Sequence, residues 1–425
     1  MRREGSLGLW SGVGMNIGTM VGVGVFLSAG FMAVEMKPGT IVLAWLFGGV
    51  LAATGARAYA AAAEIVPRSG GEYRYLSDLV HPYLGYLAGW ASFLAGFSAP
   101  IAANALAAGV FAQTLGLGVD QRLFAVVIIL VFTILHAMQV SVSKWTQNAL
   151  AIAKAVLLAG FVVAGLVYGS TSPPTWAPAH LGGTSAFMAN LVFVMYAYSG
   201  WNTAIYAAEE FKNPKRDVPR AMVVGVAAVM LLYVAVNWVL VANLTPGMVG
   251  SFLDADRSKV TLGHMVAERL IGPDGAKVMS VLVILALVSA VSAMTMIGPR
   301  VYEAMARDGF LPRLFVGTTG RPPMASVFLQ GAVAIGLVFT NKVEELITNI
   351  GVLLTLISAL TVIALFRRPN EAGKLALACA LVFFGLSAWM IVTAVTRSPS
   401  TLAWIGVVVG ASVMGYLATP RKVAA

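Results

Sequence analysis

Apolar runs of about 18 residues or more recur from one end of this chain to the other, each long enough to cross a bilayer as a helix. Only 11% of its residues are charged and 59% are hydrophobic, whereas a soluble domain carries about 25% charged residues. The chain therefore reads as an all-α polytopic membrane protein without a sizeable soluble domain. A cleavable signal peptide is not expected, because the first apolar run is glycine-interrupted and lacks a small-residue cleavage site. The single Cys379 excludes an internal disulfide.

Twelve spans can be placed, at 7–30, 39–63, 83–114, 122–141, 145–169, 185–209, 217–243, 275–306, 324–340, 346–366, 372–395 and 400–418. An even number puts both ends on one side. Loops and ends on that side hold 18 Lys and Arg residues against 8 on the other, with Arg57 and Lys154 inside spans. The excess of positive charge predicts that both termini face the cytoplasm. The net charge of +10 is then topological. It is spread over many short loops, which argues against a nucleic-acid partner and leaves membrane lipid as the surroundings.

Two spans are interrupted. Span 1 contains Gly12, Gly14, Gly18, Gly22 and Gly24 together with Asn16, and each interior Gly costs about 1 kcal/mol of helix propensity. Span 6 contains Tyr196-Ala-Tyr-Ser199-Gly200-Trp201-Asn202-Thr203. Irregular backbone at membrane depth survives only where protein buries it or where it lines a cavity. Interrupted helices at corresponding places of two halves point to a secondary-transporter site. The halves would be residues 1–169 with spans 1–5 and 185–366 with spans 6–10, inverted because five is odd. Spans 11 and 12, at 372–418, are appended. Two connections look structured: the loop 64–82, and 250–272, where a short amphipathic helix on the outer face fits the apolar spacing.

Gly14, Gly18 and Gly22 have the spacing of close helix packing. Asn16, Thr19 and Gly24 fit a different reading, an unwound stretch whose free N–H groups and helix dipole face an anion. With the carbonyls freed on the other side, such a site suits the carboxylate and ammonium of an amino acid. Lys154 lies nine residues into span 5, about 13–14 Å of helix rise from its end. An ionisable residue at that depth is a functional candidate. Its ammonium can donate to carbonyls freed by the break in span 1 and to hydroxyls on span 8, such as Ser289 or Ser292. His136 reads as a hydrogen-bonded packing residue. The four histidines and one cysteine have no metal-ligand spacing, so neither a metal nor a cofactor is expected. There is no phosphate-binding G-x-x-x-x-G-K-[ST] loop and no catalytic constellation, which argues against a built-in ATP motor and against an enzyme. A channel needs a continuous polar lining or charged rings; here polar residues cluster at two breaks.

Four motifs, in order across both halves, resemble the amino acid–polyamine–organocation superfamily, above all its L-type and basic amino-acid branches. They are Gly18-Thr-Met-Val-Gly22-Val-Gly24-Val-Phe26, Pro67-Arg-Ser-Gly-Gly-Glu-Tyr73, Tyr198-Ser-Gly-Trp-Asn202 with Glu209 to Arg220, and Gly298-Pro-Arg-Val-Tyr-Glu-Ala-Met-Ala-Arg-Asp-Gly309. The resemblance implies a LeuT-type fold with helices 1 and 6 broken and substrate between them. By position it implies that Met20, Val23 and Gly24 line the site for the substrate's carboxylate and amine, with Gly22 in the same opened stretch. Tyr196 would be an aromatic gate, followed by Ser199, Trp201 and Asn202. Lys154 matches a lysine that takes the place of a sodium ion in sodium-independent members, and Tyr233 a tyrosine that can approach it. Two positions depart from the pattern: Val23 replaces a small polar residue, and Tyr59-Ala-Ala61 replaces Tyr-Ala-Glu. The expected function is sodium-independent amino-acid exchange or proton-coupled uptake across the cytoplasmic membrane, without an obligate partner. Neutral substrates are favoured, because no acidic residue is clearly placed at mid-membrane. The alternative is a polyamine or cationic amino-acid transporter of the same fold.

Overall fold

The computed structural model describes residues 7–138, 144–178, 181–254, 261–317 and 323–419. Outside them lie Arg2, Arg3, Arg257, Lys259, Arg321, Arg421 and Lys422 of the charge count, His180, and the 255–260 part of the 250–272 connection. Among the described residues the chain is helical, and its sole extended pairing is an isolated bridge between Leu7 and Phe211. Eight stretches are long and apolar enough to cross a membrane, and four shorter apolar helices, Gln121–Ala137, Val156–Tyr168, Thr184–Tyr198 and Met324–Thr340, fall where further spans were expected.

The first apolar stretch is two helices, α1 (Leu9–Met20) and α2 (Val23–Ala33), separated at Val21 and Gly22. Then come α3 (Pro38–Ile65), the short α4 (Glu72–Leu79), and α5 (Pro82–Ala91), which runs through a π-helical segment into α6 (Ala99–Gln113). Next are α7 (Gln121–Ala137), α8 (Lys144–Tyr168), and the second interrupted stretch, α9 (Thr184–Tyr198) and α10 (Thr203–Tyr206). They are followed by α11 (Pro214–Ala242), α12 (Pro246–Asp254), α13 (Leu262–Ile297) and α14 (Pro299–Arg307). Gly272 interrupts α13 with φ +79°, a left-handed conformation that glycine adopts without steric cost. It sets off residues 262–271 as a short helix where the outer amphipathic helix was expected. The chain ends with α15 (Met324–Thr340), α16 (Val343–Ile363), α17 (Pro369–Ala372), α18 (Lys374–Arg397) and α19 (Thr401–Ala418).

The interrupted helices are at the centre. The apolar window of the Leu9–Ala33 stretch is 83% buried and that of α19 only 17%. In lipid an exposed leucine costs nothing, so outer faces such as Leu231 and Leu417 remain apolar. Inside, α3 packs along α11, and Trp45, Tyr198 and Tyr233 meet in tilted and edge-on contacts, with ring centroids 5.1 to 6.2 Å apart. His136 on α7 bonds Ser292 of α13 at 3.0 Å, a hydrogen-bonded packing contact.

Candidate functional site

The break in the first helix is made by Val21 (φ −75°, ψ 88°) and by Gly22 in extended conformation. Carbonyls at the end of α1 thereby lose their i+4 N–H partners, and the first N–H groups of α2 are left without intrahelical acceptors. One of these is capped by a side chain that sequence reasoning did not single out: Val23 N–H donates to Asn104 Oδ1 on α6 at 3.0 Å. Asn104 is held in place by its own Nδ2, which donates to Pro100 O at 2.7 Å. A Cβ on Gly22 would lie 2.9 Å from the same Oδ1, so the glycine allows this approach.

The break in the second helix runs through Ser199 to Asn202, with Gly200 at φ +100°. The two breaks touch. A Cβ on Gly200 would lie 2.8 Å from Thr19 Oγ1. Thr19 Oγ1 is 2.7 Å from Thr203 Oγ1, and Asn16 Oδ1 accepts from Ala204 N–H at 2.9 Å. Gly24 packs α2 against α9, where a Cβ would meet the Cα and Cβ of Ala197 at 2.7 Å. Gly14 and Gly18 have open space instead, so the glycine spacing is not a continuous packing face.

Lys154 and Tyr233 grip the opened carbonyls from two sides. Lys154 Nζ donates to Gly18 O and Val21 O, each at 3.3 Å. Tyr233 Oη lies 2.6 Å from Met20 O and 3.1 Å from Ala197 O, within reach of carbonyls of both interrupted helices. Among the described residues no hydrogen bond joins Lys154 to Ser289 or Ser292, which corrects that expectation. Ser292 is turned to His136 instead, and Ser289 is half-buried elsewhere on α13.

A cavity of about 50 Å³ borders the second break, lined among others by Thr19, Ser199, Trp201, Asn202, Tyr206 and Glu72. It has room for a few waters. Trp201 closes one side, stacked on Phe383 at 5.6 Å and 5.3 Å from Tyr59. Met20, Gly22, Val23 and Gly24 are buried beside the break but do not line this cavity, nor does Tyr196, whose Cβ packs towards Gly351. Met195 and Tyr198 line it in its place.

Glu72, the first residue of α4, is the other group the sequence reading passed over. It is 4% exposed. Its Oε1 accepts from Tyr59 Oη at 3.1 Å and, through a short contact, from Asn202 Nδ2, and its Oε2 accepts from Tyr206 Oη at 2.6 Å. Burial raises its carboxyl above the ordinary range, against the opposing pull of these donors. The signal lay in the quoted Gly-Gly-Glu-Tyr motif: a Gly-Gly turn, with Gly71 at φ +61°, delivers an acid to the start of a helix. An acidic residue from outside the spans therefore reaches the cavity.

The chain matches the Amino acid permease family over residues 7–417. It is 25% identical to the b(0,+)-type amino acid transporter 1 of Mus musculus over 84% of this chain and 75% of that protein. It is 27% identical to the methylthioribose transporter of Bacillus subtilis over 84% of this chain and 80% of the relative. Identity to the serine/threonine exchanger of the same bacterium is also 27%, over 80% and 78%. These relatives are transporters rather than enzymes. With its apolar helices and its two touching interruptions, the chain belongs to the amino acid permeases of the amino acid–polyamine–organocation superfamily.

Proposed function

We propose that this protein is a secondary active amino-acid transporter of the cytoplasmic membrane that works by alternating access, with sodium-independent exchange or proton-coupled uptake. In this reading it has twelve spans in a LeuT-type arrangement of two inverted units of five, with two appended, and both termini are cytoplasmic. The observation that carries it is the contact between two opened helices, Gly200 against Thr19, at the edge of a polar cavity. The opened backbone from Met20 to Gly24 would take the substrate's carboxylate and amine. A carboxylate at Val23 N–H would have to displace Asn104 Oδ1, and the small cavity would have to widen. Ser199, Trp201 and Asn202 would contact the substrate, and Tyr196 would act as a gate on the same helix. Lys154 and Tyr233 would hold the α1 carbonyls and couple helix 1 to the surrounding frame, in place of a sodium ion.

Neutral amino acids are the favoured substrates. Glu72 lends some support to the cationic alternative, but its two oxygens already accept three hydrogen bonds. Purified protein in proteoliposomes, preloaded with unlabelled amino acid, tests the reading with a panel of radiolabelled amino acids, polyamines and organic amines. Saturable uptake stimulated by internal substrate and indifferent to sodium is expected for neutral amino acids. Unsaturable flux without counter-stimulation would point to a channel and overturn the proposal.

A further inference from the structure

Glu72 is buried and accepts from three neutral donors, and among the described residues no ion pair joins it to a cation. Burying a charge is costly unless it is paired. Of the charged side chains on α3, Arg57 is half-buried and Glu64 is exposed. On α3 and the second break it meets the neutral donors Tyr59, Asn202 and Tyr206. On α16 the nearest polar groups are the hydroxyls of Ser358 and Thr361 beside Tyr59. Tyr75, on α4 itself, has a buried hydroxyl without a partner among the described residues. Arg74, also on α4, is committed to Asp308 at 2.8 Å and Asp78 at 3.9 Å. Arg367, at the end of the helical turn Ala364–Arg367 packed on α4, is exposed. On α5, Tyr83 is half-buried and next to Ser412, Tyr86 is buried among Trp90, Phe310 and Tyr416, and His81 is exposed at the helix start.

We propose that Glu72 is a proton-binding site at the N-terminal-side end of the cavity, and that proton binding there favours the closed arrangement in which α4 is locked against α3 and the second break. The site rests on the transport reading only for its coupling role, since in the proposed orientation this end faces the cytoplasm. The surroundings accommodate either form. As a carboxylate, Glu72 accepts from Tyr59, Asn202 and Tyr206. As an acid, it holds a proton taken up from water and hydrogen-bonds through it to Tyr59 Oη, whose own hydrogen turns to Ser358 or Thr361. The direction follows from linkage: the state that buries the carboxyl binds the proton more tightly than a state that opens it to water. Opening towards the cytoplasm therefore releases the proton on that side, and closure takes it up.

The site is read directly by infrared pH titration of the full-length protein in nanodiscs. A protonated-carboxyl band that grows on acidification should be missing in Glu72→Gln. In Tyr206→Phe, which removes a donor that favours the carboxylate, its midpoint should move up by about one to two pH units. The closure is read with Ala52→Cys, a cavity-lining position, in a Cys379→Ala background. Maleimide labelling should fall on acidification by up to about tenfold per pH unit, the ceiling for one linked proton, and should be low and flat when Glu72→Gln is added. If Glu72→Gln keeps the band, or labelling keeps its pH dependence without Glu72, the proposal fails. It also fails if spermidine or L-arginine abolishes the band at fixed pH in the wild type, since Glu72 would then bind an organic cation in place of the proton. The band is measured without transport, so its loss in Glu72→Gln stands whether or not amino acids are carried.

Discussion

Lys154→Met tests the device at the first break. The substitution keeps the length and apolar stem of the side chain and removes the ammonium. Two hydrogen bonds go, to Gly18 O and Val21 O, both at 3.3 Å. A hydrogen bond from a charged donor contributes about 1.5–3 kcal/mol. At these long distances the lower figure applies to each, about 3 kcal/mol together. Relief from the cost of burying an ammonium offsets part of this, and the expected net loss is about 1.5 kcal/mol. That is roughly tenfold in the balance between the arrangement with α1 held to α8 and any arrangement in which α1 moves away. Because transport requires both arrangements, the expected effect is altered turnover and a changed ratio of apparent affinities at the two membrane faces. The assay is radiolabelled amino-acid exchange in proteoliposomes with substrate varied on one side at a time, in sodium and in choline buffer. Unchanged turnover and affinities in Lys154→Met, with a wild type that requires sodium, would refute both the coupling role and the sodium-free mechanism.

At the helix contact, a Cβ at position 24 meets backbone and side chain of Ala197 at 2.7 Å. Gly24→Ala should therefore lower thermal stability by about 1–3 kcal/mol, whereas Gly14→Ala, with open space, should be neutral or slightly stabilising; folded Gly24→Leu that binds substrate normally would remove this stretch from the site. Asn104→Ala takes the cap from α2 and should cost about 1 kcal/mol, read as a fall in the melting temperature of the detergent-solubilised protein; an unshifted melt would mean that water caps Val23 N–H equally well. Tyr196→Ala should weaken binding or slow turnover while Trp10→Ala, 76% exposed, should do neither; an inert Tyr196→Ala removes the gate. Trp201→Ala empties the space between Gly55 and Phe383 and should cost about 3–5 kcal/mol, and a variant as heat-stable as the wild type would contradict that packing.

The positions of the apolar helices and of both interruptions follow from the sequence by itself. Length and apolar continuity fix a membrane helix, because hydrocarbon offers its backbone no other partner, and clustered Gly, Ser and Asn weaken a helix whatever surrounds it. Thus 122–141, 185–209 and 324–340 reappear as α7, α9 with α10, and α15, and Lys154 stands out because charge at that depth is costly. Partners are a different matter. Ser292 lies on the expected helix, but its position around α13 turns it to His136, and only packing against α7 decides that. Asn104 is one polar residue in the small-residue run from Ala99 to Gly109 and is indistinguishable there from a helix-packing amide, until α6 carries it to the end of α2. Glu72 lies in a loop outside the spans, and no hydropathy pattern moves a loop acid to a cavity. It gets there because α4 folds back under α3 and the second break, where Tyr59, Asn202 and Tyr206, distant in sequence, converge on one carboxylate. Local propensity is encoded residue by residue, whereas convergence of side chains from separate helices exists only once those helices are packed.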